Sequence, residues 1–208
     1  MHFIGVLFGG DLSLLEDFYE GLEVESYIQS TKEEAIKDYI EAVKKGRAWR
    51  KKRIKEGSPQ SSAFQEWLDK HKRYGKKRAW EDIQKDYKDQ LDEDGNIWAT
   101  CNPNAQWDWY RIGGRWSDYF PLKERDSEGN RKYADEATIG EVDWDEYKKT
   151  KTTPYCFITE SGEWKSRGEI HWFYSANDKN NKKKKKEFYN ELHKYPDDTQ
   201  VIAVDFHI

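Results

Sequence analysis

Two apolar, β-rich segments stand at opposite ends of this 208-residue chain, and they constrain its fold more than anything between them. The first, His2-Phe3-Ile4-Gly5-Val6-Leu7-Phe8, is stopped by Gly9-Gly10. The second, Gln200 to Ile208, follows the turn Pro196-Asp197-Asp198. Both have the length and composition of buried strands and are expected to pair in one sheet. The helical patterns cluster in one insertion-like stretch, and no internal repeat is visible. Strands in runs with segregated helices define the α+β class. The expectation is a single α+β domain over residues 1–208, with a mixed or antiparallel sheet containing both chain termini and a helical segment inserted at about 31–92.

Within that segment, Thr31-Lys32-Glu33-Glu34 has the form of a capping box. Ala35, Ile36, Tyr39, Ile40 and Val43 then recur at helical spacing, predicting a helix to about Lys45. Its continuation through Trp49 and Ile54 is open until Gly57-Ser58-Pro59. Ser61 or Ser62 caps a second helix carrying Phe64, Trp67, Leu68 and His71; Trp80, Ile83, Tyr87 and Leu91 form a third stripe. Elsewhere, Leu12 to Tyr19 reads as a short helix or irregular loop, Glu23 to Ile28 as extended chain, Ile97 to Thr100 as a short strand, and Lys123 to Asn130 as a polar loop. A short helix is expected from Val142 to Tyr147. A hairpin is expected from Tyr155–Thr159 and Glu163–Lys165 about Ser161-Gly162, then a strand at Ile170 to Tyr174. Lys182 to Lys186 opens a last helix with Phe188, Tyr189 and Leu192.

Only 36% of residues are hydrophobic against 37% charged, so the core must be economical. Aromatics supply it: 10 Trp, 13 Tyr and 9 Phe, each able to bury about 150–250 Å². A disordered chain would be poor in those residues. No window approaches the roughly 18 apolar residues of a membrane span. The opening segment lacks a basic leader and a cleavage site, so it reads as a strand rather than a signal peptide. Cys101 and Cys156 form no disulfide framework and fit a reducing, cytoplasmic setting. Neither has ligand-spaced neighbours, and no metal or cofactor is expected.

The most informative stretch is Asn102-Pro103-Asn104-Ala105-Gln106-Trp107-Asp108-Trp109-Tyr110-Arg111-Ile112-Gly113-Gly114-Arg115-Trp116. Four aromatics stand beside two arginines and an aspartate. Gly113-Gly114 permits positive φ and close approach of a backbone or ligand. The guanidinium forks of Arg111 and Arg115 suit carboxylate or phosphate, and the Trp and Tyr faces can stack on bases or on Arg. Asn102, Asn104, Trp107, Asp108, Trp109, Tyr110, Arg111, Gly113, Gly114, Arg115 and Trp116 are therefore the candidate ligand- or partner-binding residues. The competing reading makes the tryptophans core, pairs Asp108 with Arg111 or Arg115, and leaves Gly113-Gly114 as a tight turn. The spacing is not that of a phosphate loop.

This stretch resembles the signature Asn-Pro-x-x-x-Trp-Asp-Trp-Tyr-x-Ile-Gly-Gly-Arg-Trp of a family of small proteins carried by bacteriophages, prophages and bacteria. Leu22 to Ile28 with Thr31 to Glu34, Thr153 to Ile158 with Gly162-Glu163-Trp164, and Val204 to Ile208 are similar to other segments of that family. So is Gly168 to Phe173, except that the family pattern has Gly at the place of His171. Together these cover about half the chain. The resemblance implies a phage or prophage context, with the host-cell cytoplasm as location, and no particular chemistry.

Two further features carry function-like signals. From Lys44 to Arg78 the chain holds 14 Lys/Arg against only Glu56, Glu66 and Asp69, although the formal net charge is −4. Arg47, Arg50, Lys51 and Arg53, interleaved with Trp49, suit phosphates and stacked bases, or an acidic protein, or simply a solvated helical face. Among the five histidines none has a metalloprotease or deaminase spacing. Asp205 and His207, two apart on a strand, share a face, and a carboxylate orienting an imidazole is a base-like arrangement. Cys156, in an apolar strand, reads as packing. The leading expectation is a non-catalytic phage-type accessory protein that binds a host or defence protein, or sequesters a nucleotide, through Asn102–Trp116. The alternatives are an enzyme acting on nucleotides or nucleic acid through His207 with Asp205, and a nucleic-acid-binding protein using the basic segment.

Overall fold

The computed structural model describes residues 1–57, 61–167 and 181–208. Two compact units emerge: Met1–Glu23 with Cys101–Ile208, and Val24–Thr100. The expected strand at Ile170 to Tyr174 lies outside the described residues, as does the whole Gly168 to Phe173 segment.

The first unit is built on the predicted pairing of the chain ends. Strand β1 (His2–Phe8) runs antiparallel to β10 (Gln200–His207), with His2 opposite His207 and Phe8 opposite Val201. On the far side of β1, β8 (Cys156–Ile158) adds in parallel, and β9 (Trp164–Ser166) completes the expected hairpin. On the far side of β10 lie β4 (Trp109–Ile112) and β7 (Glu136–Thr138), both antiparallel to it. Among the described residues the sheet is therefore mixed and six-stranded, with the two end strands β1 and β10 paired inside it.

Alternation along these strands divides the core in two. Ile4, Val6, Phe8, Phe157, Val201 and Ala203 face one way, toward Tyr147 of α4 (Trp144–Thr150) and Phe188 and Leu192 of α5 (Asn181–Leu192). Phe3, Leu7, Cys156, Ile158, Ile202, Val204 and Phe206 face the other way, against Leu15 of a 3-10 turn (Leu12–Phe18) and Trp107. Burying a side chain such as Phe188 contributes about 1.5–3 kcal/mol. Aromatic pairs thicken both layers, as in the edge-to-face contact of Phe157 with Phe188 at 5.7 Å.

Two parts depart from expectation. The polar stretch around Lys123 to Asn130 is not a plain loop: β5 (Phe120–Arg125) and β6 (Arg131–Ala134) pair in a small separate sheet. The outer residues of this hairpin are exposed, so no apolar stripe announces it. Asp126 makes the turn by accepting the backbone N–H groups of Glu128 and Asn130, each at 2.8 Å. The second departure is β4, which makes the centre of the aromatic motif an edge strand of the main sheet.

In the second unit, β2 (Tyr27–Ser30) pairs antiparallel with β3 (Ile97–Ala99). The capping box forms as predicted, with Thr31 and Glu34 satisfying each other's backbone N–H groups, and α1 runs the longer of the two expected lengths, Lys32–Lys55. Helix α2 (Ser62–Lys70) is capped by Ser61, and α3 (Lys76–Asp86) buries Ala79 and Ile83. Ala35, Ile83 and Ile97 form the centre of its core.

Candidate functional site

The aromatic motif divides into a structural half and an exposed half. Asn102 is buried; its amide donates to the carbonyls of Asp17 at 2.8 Å and Tyr19 at 3.0 Å, and its Oδ1 accepts the Asn104 N–H. Trp107 is 7% exposed and donates from Nε1 to the Leu15 carbonyl at 3.1 Å. Asn102 and Trp107 pin the motif to the 3-10 turn and its end. Tyr110 and Ile112 point into the core shared with Phe206, while Trp116 packs against the core on the opposite face. Asn102, Trp107, Tyr110 and Trp116 therefore belong to the scaffold, which corrects their place among the ligand candidates, while the side chain of Asn104 stays exposed. An indole or amide already buried and hydrogen-bonded has little left to offer a ligand.

The alternation of β4 sends Trp109 and Arg111 to the other face. There the register sets Trp109 opposite His207, Arg111 opposite Asp205, and, across the next ladder, His207 opposite His2. On this face the strand ends turn from apolar (Ile4, Val6, Ala203) to polar (His2, Asp205, His207). The result is a cluster that the linear sequence disperses over the whole chain.

Its geometry corrects the expected Asp205–His207 pair. Asp205, 1% exposed, holds His2: Nδ1 of His2 lies 2.9 Å from Oδ1, and Oδ2 accepts the Arg115 backbone N–H at 2.9 Å. His207 is held instead by Asp108, whose two oxygens lie 2.8 and 3.0 Å from its Nδ1. The carboxylates fix both rings as Nδ1–H donors, which leaves Nε2 of each as the basic nitrogen. The rings meet edge to face at 4.8 Å. The indole of Trp109 stacks on His207 at 5.2 Å and 15°, and meets the His2 ring edge-on at 5.1 Å. Trp109 stays 44% exposed. The Met1 amino nitrogen, also exposed, is 3.4 Å from His207 Nε2. Asp108 thus pairs with a histidine rather than with Arg111 or Arg115. Both arginines are exposed, and among the described residues neither guanidinium is in an ion pair.

Gly113 and Gly114 act in this site as backbone. Their φ values are +63° and +54°, and an added Cβ would lie 2.0 Å from Asp135 Oδ2 and 2.5 Å from Asp205 Oδ2 respectively. The pair makes the sharp turn that brings the Arg115 N–H onto the buried carboxylate. His2 was missed as a site residue because its partners are some 200 positions away in sequence. The one available signal is its place as the polar end of an otherwise apolar strand.

Elsewhere the candidates are engaged. Burial pushes the Cys156 thiol well up, as suits a packing residue. Arg50 stacks 3.7 Å over Trp67 and bonds the Gly46 carbonyl, so it serves the α1–α2 contact and is removed from the nucleic-acid set. Lys51 and Arg53 are exposed on α1, with Arg47 half-buried. A cleft of about 500 Å³ opens beside Arg50, but its acids Asp82 and Asp86 already accept the hydroxyls of Tyr74 and Tyr39. No group of acids, histidines and cysteines able to hold a metal occurs among the described residues, and no helix among them is long and apolar enough to cross a membrane. Comparison with protein-family models, with curated proteins and with solved structures finds no match.

Proposed function

We propose that this protein binds a phosphate-bearing ligand of nucleotide type on the face formed by Trp109, Arg111, His2 and His207, as an accessory protein of phage or prophage type. The observation that carries the reading is the stack of exposed Trp109 on a carboxylate-held imidazole, with the uncommitted guanidinium of Arg111 two residues along the same strand face. The open side of an indole is a stacking platform for a base. A guanidinium fork matches phosphate geometry, and two imidazole Nε2 groups add polar contacts. The exposed cation of Arg115 stands just past the glycine turn. The phage context rests on the resemblance of these same residues to the signature described above.

The test is a titration of intrinsic tryptophan fluorescence with nucleoside monophosphates and short single-stranded oligonucleotides. Saturable quenching is expected. Arg111→Ala weakens it by roughly ten- to a hundred-fold, in line with about 1.5–3 kcal/mol for a hydrogen bond to a charged group. Trp109→Ala removes most of the signal. The absence of saturable binding by any phosphate-bearing probe would refute the reading.

A further inference from the structure

The two histidines stand in an arrangement that binding alone does not require. Asp205 is nearly sealed from solvent, and burying a carboxylate is costly unless its partners are well placed. Both of its oxygens are used, one to hold an imidazole and one to hold the turn that carries Arg115. A second imidazole beside the first is held in the same way by Asp108. Each ring thus has a fixed tautomer, a carboxylate able to stabilise its protonated form, and Nε2 turned away from that carboxylate. Two such rings at 4.8 Å supply one group to take a proton and one to give it.

The geometry points to a metal-independent ribonucleolytic activity on this face, with His207 as general base and His2 as general acid. The inference rests on the phosphate-binding reading above. A neighbouring hydroxyl is the nucleophile that a lone imidazole can activate, which selects ribose over deoxyribose. His207 is the more exposed ring, with 30% of its side chain accessible against 12% for His2, so it is assigned the incoming hydroxyl. Its Nε2, which lies 3.4 Å from the Met1 amino nitrogen, takes the proton of a 2′-hydroxyl as the incoming hydroxyl displaces that exposed amine and its oxygen forms a bond to phosphorus. The P–O5′ bond breaks, and the departing oxygen takes the proton from Nε2 of protonated His2. The products are a 2′,3′-cyclic phosphate and a 5′-hydroxyl, and the two imidazoles exchange protonation states through water. Arg111 faces the phosphate, and the open side of Trp109 takes a base. Asp205 and Asp108 are positioning residues.

The experiment uses the full chain with three labelled single-stranded oligonucleotides of one sequence: RNA, DNA, and 2′-O-methyl RNA. Cleavage of the RNA alone is expected, leaving cyclic-phosphate ends. The rate should be bell-shaped in pH, because one imidazole must be neutral and the other protonated; the charged groups in contact with them are Asp205, Asp108 and the Met1 amine, with Arg111 opposite Asp205 in the ladder. His2→Gln and His207→Gln should each lower the rate by about 100-fold or more and flatten one limb of the bell, a loss well beyond the drop in affinity for the 2′-O-methyl strand that follows from removing one imidazole contact. Asp108→Asn, at a partly exposed site that tolerates the change, should lower the rate without altering that affinity. Binding of the 2′-O-methyl strand with no RNA cleavage, or cleavage undiminished in both histidine variants, overturns the catalytic assignment and leaves the binding reading standing. Failure of all three strands to bind, together with no cleavage, overturns both.

Discussion

Gly114 and Asp205 are in contact: a Cβ on Gly114 would fall 2.5 Å from both Cβ and Oδ2 of the buried aspartate, at a φ of +54°. Two independent penalties therefore meet in Gly114→Ala, left-handed strain of about 1–2 kcal/mol and a clash with a side chain that has nowhere to go. The expected loss is at least about 2 kcal/mol by urea denaturation. Gly129→Ala is the control, since that residue has φ +86° but nothing within 4 Å of the new Cβ. Equal losses in the two variants would mean that the approach to Asp205 has no energetic weight.

The buried half of the motif should behave as scaffold. Asn102→Ala strands the carbonyls of Asp17 and Tyr19 and the Asn104 N–H, for a loss of about 1–3 kcal/mol. Trp107→Phe, which orphans the Leu15 carbonyl, costs about 1 kcal/mol. In both variants, affinity for a phosphate-bearing probe per folded molecule should match the parent chain. A selective loss of affinity at unchanged melting temperature would return these residues to the binding set.

Tyr119 and Tyr147 share a buried hydroxyl contact of 2.7 Å, and burial pushes both phenols above their ordinary value of 10.0. The unfolded chain therefore ionises first. Their contribution is complete below 10.0 and is lost as pH rises through the higher folded values. Thermal unfolding followed across the alkaline range should show a steep fall that Tyr119→Phe makes shallower, at a cost near neutrality of about 1 kcal/mol. Phenolate absorbance appearing for all tyrosines at their ordinary value, with the fold intact, would contradict the buried pair.

Asp143 works in the opposite direction. It accepts the Glu146 N–H at the start of α4 and a 2.6 Å contact from Arg131, which hold its carboxyl below the ordinary 3.8. Its contribution is present above that value and is lost as pH falls through the lower folded value. Asp143→Ala should lower the melting temperature by a few degrees at neutral pH, through the lost cap and the lost ion pair. It should also remove part of the parent's acid sensitivity. A variant whose melting temperature follows the parent's at every pH would show the cap to be inert.

Much of this architecture is legible along the chain because it is local. The Thr31–Glu34 box, the Ser61 cap and the hairpin about Ser161-Gly162 each satisfy their own backbone groups within a few residues. The pairing of β1 with β10 is non-local, yet two long apolar strands must bury both faces and find each other at the centre of the sheet. The β5–β6 hairpin escapes such a reading because its outer residues face water.

Residue types and their alternation along the chain determined an α+β protein with paired terminal strands and an aromatic, arginine-bearing motif at its middle. Which of those aromatics are exposed, and which carboxylate holds which histidine, was decided only by tertiary register. One edge strand faces two environments at once, so neighbours Trp109 and Tyr110 part company. Asp205, which sequence proximity assigns to His207, lies instead across the ladder from Ile4 and reaches diagonally to His2. Side chains on a sheet meet across strands, at distances set by hydrogen-bond register, and spacing along one strand does not encode that register.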